Sequence, residues 1–425
     1  MSEFTSTLSI AFMVLVAVNL TIKLGLNLRQ AASVTRHQAE VPAAFRDAVT
    51  LEAHQKAAAY TLAKTRLGNL SLMVDTLWLL LLTLGGGINL LYGFAVSLTG
   101  EDMGLLTGLV FLLCLGALSG AIDLPLSIYR QFVVEERFGF NRMTPALFVT
   151  DLLRNTLVSL VIALPLLSLI LWLLDQATPL SWLWAWLGWM AFNGLLLFIY
   201  PVVIAPLFNK FTPMPDSAHK ARLDALLQRC EFSANGLFVM DGSRRSAHAN
   251  AYFTGFGKHR RIVLFDTLIN QLTPEQLEAV LAHEIGHYKR KHLPKRLLTM
   301  ALISLALLWG LFQLMAAPWF YTDLGVSYAT PATALALFSL VMPLCLLPLT
   351  PLSNAVSRKH EYEADAYAAQ TSQAAELIAA LVTMYRENAA TLTPDSLYSL
   401  FHDSHPPAAL RVQHLAQQGC PGTTS

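Results

Sequence analysis

Residues 273–291 read TPEQLEAVLAHEIGHYKRK, and the run that follows, 297–320, is almost wholly apolar. The first stretch is written as a helix. Thr273 stands at the N-cap, Pro274 at the first helical position and Glu275 in the first turn, where an acid meets the positive end of the helix dipole. Leu277, Val280 and Leu281 are its apolar residues, and Lys289, Arg290 and Lys291 form a basic end. A capped, mostly polar helix that runs straight into a span-length apolar segment predicts a membrane protein with a water-facing element set against the bilayer. His283 and His287 lie four apart on that helix, on one face and one turn from each other.

Composition agrees with a membrane chain. Of 425 residues, 54% are hydrophobic and only 13% charged, and the mean hydropathy is +0.48. Soluble domains carry about a quarter charged residues, so much of this surface meets something other than water. The formal net charge of +1 gives no global field for nucleic acid or an acidic partner, and no basic-aromatic patch or nucleic-acid motif occurs. Cys114, Cys230, Cys345 and Cys420 are far apart. With no CxxC, thiolate metal sites and redox pairs are not expected.

Working outward, seven runs reach the ~20 apolar residues that a spanning helix needs: 8–27, 70–92, 104–129, 146–174, 181–205, 297–320 and 331–352. The first is preceded by Glu3 and by no Lys or Arg, so it reads as a retained span and not a cleaved signal. Gly85-Gly86-Gly87 falls inside the second run and reads as an aid to helix packing. Charged residues within runs are few: Lys23, Asp75, Asp123, Asp151 and Arg154. Loop charge alternates. Lys and Arg follow the first, third, fifth and seventh runs, whereas 93–103, 175–180 and 321–330 contain neither. Positive-inside then predicts an outside N-terminus and a cytoplasmic C-terminus, with both long polar segments on the cytoplasmic side.

The expected organisation is a membrane region over 1–206, a segment at 207–296 carrying the HEIGH helix, two spans within 297–353 and a C-terminal segment over 354–425. Within 207–296, Ala221–Cys230 reads as a helix, and Gly236–Met240 and Arg261–Phe265 as short strands. Ala249–Phe253 reads as an extended edge.

The pattern His283-Glu284-Ile285-Gly286-His287 is HExxH. Two imidazoles so placed can both reach one zinc ion at about 2.0–2.1 Å. Glu284, beside the first of them, can take a proton from a water activated there without being a ligand itself. A third protein ligand is wanted. The chain leaves the histidines, crosses by the sixth span, returns by the seventh and so comes back to the same membrane face at Ser357–Asp365. There Glu361, Glu363 and Asp365 are all candidates, with His360 and His292 not excluded. Glu361 and Asp365, four apart, could divide the work: one ligates while the other accepts from a ligand imidazole. Near the C-terminus, His405 precedes Pro406-Pro407, which fix its backbone. A histidine held there could donate to an oxyanion.

The chain resembles the type I CAAX prenyl endopeptidases, seven-span zinc proteases that cleave the last three residues from prenylated CAAX proteins. The matching stretches are Val41–Phe45, His54–Ala57, Phe138–Asn141, Ile204–Phe211, Asn250–Phe253, Arg261–Leu268, the HEIGH motif, Glu361-Tyr362 with Ala364-Asp365, and His405–Pro407 with Arg411. The resemblance implies one zinc ion held by His283, His287 and Glu361, with Glu284 as general base and Asp365 behind a ligand. It implies that His405 and Arg411 face the substrate backbone or carboxylate, and that Asn250-Ala251-Tyr252 is an edge strand pairing with an extended peptide. It also implies the fold: mainly α, seven transmembrane helices ringed around an intramembrane chamber, capped by a zinc protease domain with a small β-sheet.

The expected partners are a peptide or protein substrate, prenylated or not, and membrane lipid. Two rivals stand beside a CAAX-type specificity: a broad protease clearing damaged membrane proteins, and a non-catalytic membrane scaffold. An intact Glu284 speaks against the scaffold. The short loops and the tail Gly422–Ser425, which has no dilysine signal, fit a bacterial inner membrane better than an endoplasmic reticulum.

Overall fold

The computed structural model describes residues 6–254 and 260–418. Glu3, Cys420 and the 422–425 tail lie outside the described residues. The membrane region opens with α1 (Thr7–His37), α2 (Leu51–Leu82), α3 (Gly87–Thr99) and α4 (Leu105–Tyr129), which continues through a π-helical turn at Arg130–Glu135. Then come α5 (Pro145–Asp175), α6 (Ser181–Ile199), a second π turn at Tyr200–Ile204, and α7 (Ala205–Phe208). The polar segment holds β1 (Phe211–Pro213), α8 (Ala218–Arg229), β2 (Leu237–Met240), β3 (Ala251–Thr254), β4 (Arg261–Phe265), α9 (Asp266–Gln271) and α10 (Pro274–Lys289). After it run α11 (His292–Met315), α12 (Pro318–Thr322), α13 (Pro331–Leu346), α14 (Thr350–Thr371), α15 (Ala374–Glu387), α16 (Ser396–His402) and α17 (Ala408–Gln418).

Among the described residues, six helices are long and apolar enough to cross a membrane, and α2 with α3 makes a seventh, bent by 61°. That bend corrects the reading of Gly85–Gly87 as a packing aid within one helix. The chain breaks there. Gly86 takes φ +75, which glycine tolerates without a steric penalty, and a Cβ on Gly85 would meet the Leu81 carbonyl oxygen at 2.7 Å.

Neighbouring spans close into a ring: α1 on α2, α2 on α4, α4 on α5, α5 on α6, α6 on α11, α11 on α13, and α13 back on α1. The buried apolar core of this ring sits at one end. Val16 early in α1, Leu82 at the end of α2, Phe111 early in α4, Leu174 late in α5 and Leu337 in α13 meet there as a solid plug. Towards the other end the helices stand apart. Residues 152–157 of α5 are all exposed, more than a full turn, and they include Arg154, Asn155 and Thr156. One side of this stretch faces lipid. Polar side chains are costly there, so the other side faces an interior space beneath the plug.

The polar segment closes the open end. Its sheet has the order β1-β2-β4-β3. The pairs β1–β2 and β3–β4 are antiparallel and β2–β4 is parallel, so β3 is an edge. The fourth strand, β1, is three residues long, too short to show alternation in sequence. Behind the sheet, α10 buries Leu277, Leu281 and Ile285 against Leu223, Leu226, Ile262 and Leu264. Its start is fixed by a capping box, with Thr273 Oγ1 accepting from Gln276 N–H and the Gln276 side chain accepting from Thr273 N–H. Arg245 pins this unit to the spans. It donates to both Asp151 carboxylate oxygens, at 2.7 and 3.0 Å, and to Asn209 Oδ1 at 3.1 Å.

Candidate metal centre

The helices α10 and α14 cross at close range because Gly286 has no side chain. A Cβ there would come within 3.0 Å of both the Ala364 Cα and its carbonyl oxygen. This contact brings Glu361 beneath the two histidines. His283 Nε2 and His287 Nε2 are 3.1 Å apart. Glu361 Oε2 is 3.5 Å from the first and its Oε1 3.3 Å from the second.

Hydrogen-bond chemistry fixes what these atoms offer. Asp365 lies 2.8 Å from His283 Nδ1. A carboxylate only accepts, so Nδ1 carries the hydrogen and Nε2 presents a lone pair. Burial pushes the His283 imidazole down, but the nearby Asp365 and Glu361 carboxylates outweigh that and lift it to about 9. The pocket therefore favours positive charge. Glu361 Oε2 is buried and accepts no hydrogen bond among the described residues. Tetrahedral bonding at 2.0–2.1 Å from a zinc ion requires donor separations of about 3.3 Å; the two imidazole nitrogens lie 3.1 Å apart, and the Glu361 carboxylate reaches one of them with each of its oxygens, at 3.5 and 3.3 Å. The donor set fits a metal ion.

The other candidates fall elsewhere. Glu363 turns away from the cluster to His292, with Oε2 3.0 Å from Nε2. Asp365 is fully buried and also receives Arg411, whose Nε and Nη2 donate at 2.9 and 2.6 Å. Arg411 is itself buried, and its Nη1 lies 3.7 Å from Glu361 Oε2. His360 stacks flat on the His292 ring, with centroids 4.0 Å apart.

A cavity of about 240 Å³ opens over the cluster, lined by His283, Glu284, Glu361, His405, Asn250 and Ala251 among others. His405 remains largely exposed, with Nε2 3.4 Å from Glu361 Oε1. Asn250 and Ala251 border the cavity at the free edge of the sheet, whereas Tyr252 points to the opposite sheet face and lines a separate cavity with Tyr200, Phe211 and Arg261. Reading the sequence did not find Tyr385 and Asn388, which wall the cavity from α15 and just beyond it. Asn388 Oδ1 accepts from Ala249 N–H at 3.2 Å and so steadies the start of the edge strand. Nothing in the local sequence around Asn388 signals this.

Two histidines and a carboxylate converging in a cleft, with an adjacent acid, on a multi-pass membrane frame, define a membrane metallopeptidase. Comparison with known proteins agrees. The model of the CAAX prenyl protease N-terminal region, five membrane helices, matches residues 30–210, and that of peptidase family M48 matches residues 213–418. CAAX prenyl protease 1 of Saccharomyces cerevisiae is 38% identical over 72% of this chain and 71% of its own length. The CAAX prenyl protease 1 homolog of Dictyostelium discoideum is 33% identical over 92% of each. The crystal structure of S. mikatae Ste24p superposes with a TM-score of 0.89 at 30% identity, covering 97% of this chain and 99% of that one. The chain belongs to the CAAX prenyl protease family of M48 peptidases, and it is a multi-pass membrane metalloendopeptidase.

Proposed function

We propose that the chain is a zinc endopeptidase that hydrolyses a peptide bond near the C-terminus of a membrane-associated, CAAX-type substrate. The observation that carries the metal reading is the convergence of His283 Nε2, His287 Nε2 and the Glu361 carboxylate at 3.1–3.5 Å, with the buried Glu361 Oε2 accepting no hydrogen bond among the described residues. Two imidazole nitrogens and a carboxylate held that close call for a cation. When bound, zinc supplies Lewis acidity that polarises the scissile carbonyl and acidifies a water.

The chain's own groups do the rest. Glu284, at the cavity wall, takes a proton from the attacking water and delivers it to the leaving amine. His405, which also lines the cavity, donates to the oxygen on which negative charge develops. Asp365 holds His283 in the Nε2-presenting tautomer, and Arg411 balances the Asp365 charge while bordering the cavity. The free edge of β3, at Asn250 and Ala251, pairs with an extended substrate backbone. The metal site faces the cytoplasm, as the loop charge implies.

The test is cleavage of a farnesylated CAAX peptide beside its unlipidated twin, by the wild-type chain and by Glu284→Gln, with metal content measured in both. Preference for the lipidated peptide, absent from the variant, supports this reading. Equal cleavage of both peptides replaces it with a broad membrane-protein protease.

A further inference from the structure

The two histidines of the cluster are held in place by different means. His283 has its carboxylate directly behind it. Among the described residues no carboxylate meets His287 at Nδ1, the side away from the cluster. Its Nδ1 instead lies 2.9 Å from His292 Nδ1, and His292 Nε2 lies 3.0 Å from Glu363 Oε2. The direction of this chain follows from its far end. Glu363 can only accept, so His292 Nε2 carries a hydrogen. The neutral ring then presents a lone pair at Nδ1. His287 Nδ1 must therefore be the donor, which leaves His287 Nε2 bare and aimed at the cluster.

The fold places His292 for this contact. It is the first residue of α11, and the turn that delivers it contains Lys291 in the left-handed region at φ +55. A non-glycine residue there costs about 1–2 kcal/mol, and such strain persists only where its surroundings enforce it. His292 is 6% exposed, and His360 lies flat against its ring at 4.0 Å. The ring is thus clamped between α10 and α14 at the head of a membrane span.

We propose that His292 and Glu363 are positioning residues that orient His287 towards the metal: a carboxylate acting through an intervening imidazole, in parallel with the direct Asp365–His283 contact. This rests on the reading of His287 as a metal ligand. Partners of this kind typically govern metal affinity by 10–100-fold.

The test uses the full chain in detergent. The zinc dissociation constant is measured by chelator competition, and the visible spectrum of the cobalt(II)-substituted protein reports the ligand field. Melting of the metal-free protein reports folding. His292→Ala and Glu363→Ala should weaken zinc by about 10–100-fold and shift the cobalt bands, with little change in metal-free melting. Glu363→Gln, which still accepts from His292 Nε2, should recover most of the affinity. Glu363 is partly exposed, so its variants keep the test open should His292→Ala fail to fold. Wild-type affinity and unshifted cobalt bands in Glu363→Ala would overturn the proposal. Full metal retention in His287→Ala would instead overturn the ligand reading beneath it.

Discussion

Asp365 accepts from His283 Nδ1 at 2.8 Å and from Arg411 at 2.6 and 2.9 Å, so one fully buried carboxylate serves both a metal-facing imidazole and a buried guanidinium. Asp365→Ala removes both services at once. Leaving a buried charge without its partner costs about 3–5 kcal/mol, and the loosened His283 should weaken metal binding by about 10–100-fold. Asp365→Asn, which keeps an acceptor for His283, should lie between that variant and wild type in chelator competition and thermal melting.

Glu284→Gln separates chemistry from binding. The amide fills the same space but cannot take a proton. Metal content should stay stoichiometric while turnover falls by at least 10²–10⁴-fold, the range of general base catalysis. Normal turnover in this variant would remove Glu284 from the mechanism.

Gly286→Ala probes the crossing that assembles the site. The added methyl group would meet Ala364 backbone at 3.0 Å, and overpacking of this kind costs about 1–3 kcal/mol. Because Glu361 is carried by the displaced helix, metal affinity should fall more than stability does. A variant that melts early but binds metal normally would show that α14 can shift without moving Glu361.

Metal removal should be felt by the whole polar unit, since the cluster joins α10 to α14. Ligand present at about 1,000 times its dissociation constant stabilises a fold by about 4 kcal/mol. Chelation should therefore abolish activity and lower the melting temperature, and added zinc should restore both.

Arg245→Ala tests the tie between the protease unit and the spans. The Arg245–Asp151 pair is largely buried, so its loss should destabilise by about 3 kcal/mol. Limited proteolysis should then cut more readily around the polar segment, with the spans intact.

The helix carrying HEIGH is legible in sequence because its signals are local: a cap, a proline, a period and two histidines at one spacing. Glu361 is legible only as one of several acids. Choosing it over Glu363 and Asp365 depends on how α14 rotates against Gly286, a tertiary fact. The role of His292 depends on a left-handed Lys291, and that of Asn388 on where α15 ends. Hydropathy finds the second span but not its 61° bend, since three glycines leave an apolar run looking continuous. Tyr252, adjacent to Ala251 in the chain, takes the other face of the strand because side chains alternate.

The plug at one end of the ring has a consequence beyond packing. A hollow set into a bilayer shortens the insulating path across it, and what stays dry must then withstand the full membrane voltage. Here that duty falls on Leu82, Phe111, Leu174, Leu337 and their neighbours. An ion entering from that end would have to shed its hydration among these apolar side chains, at a cost of several kcal/mol.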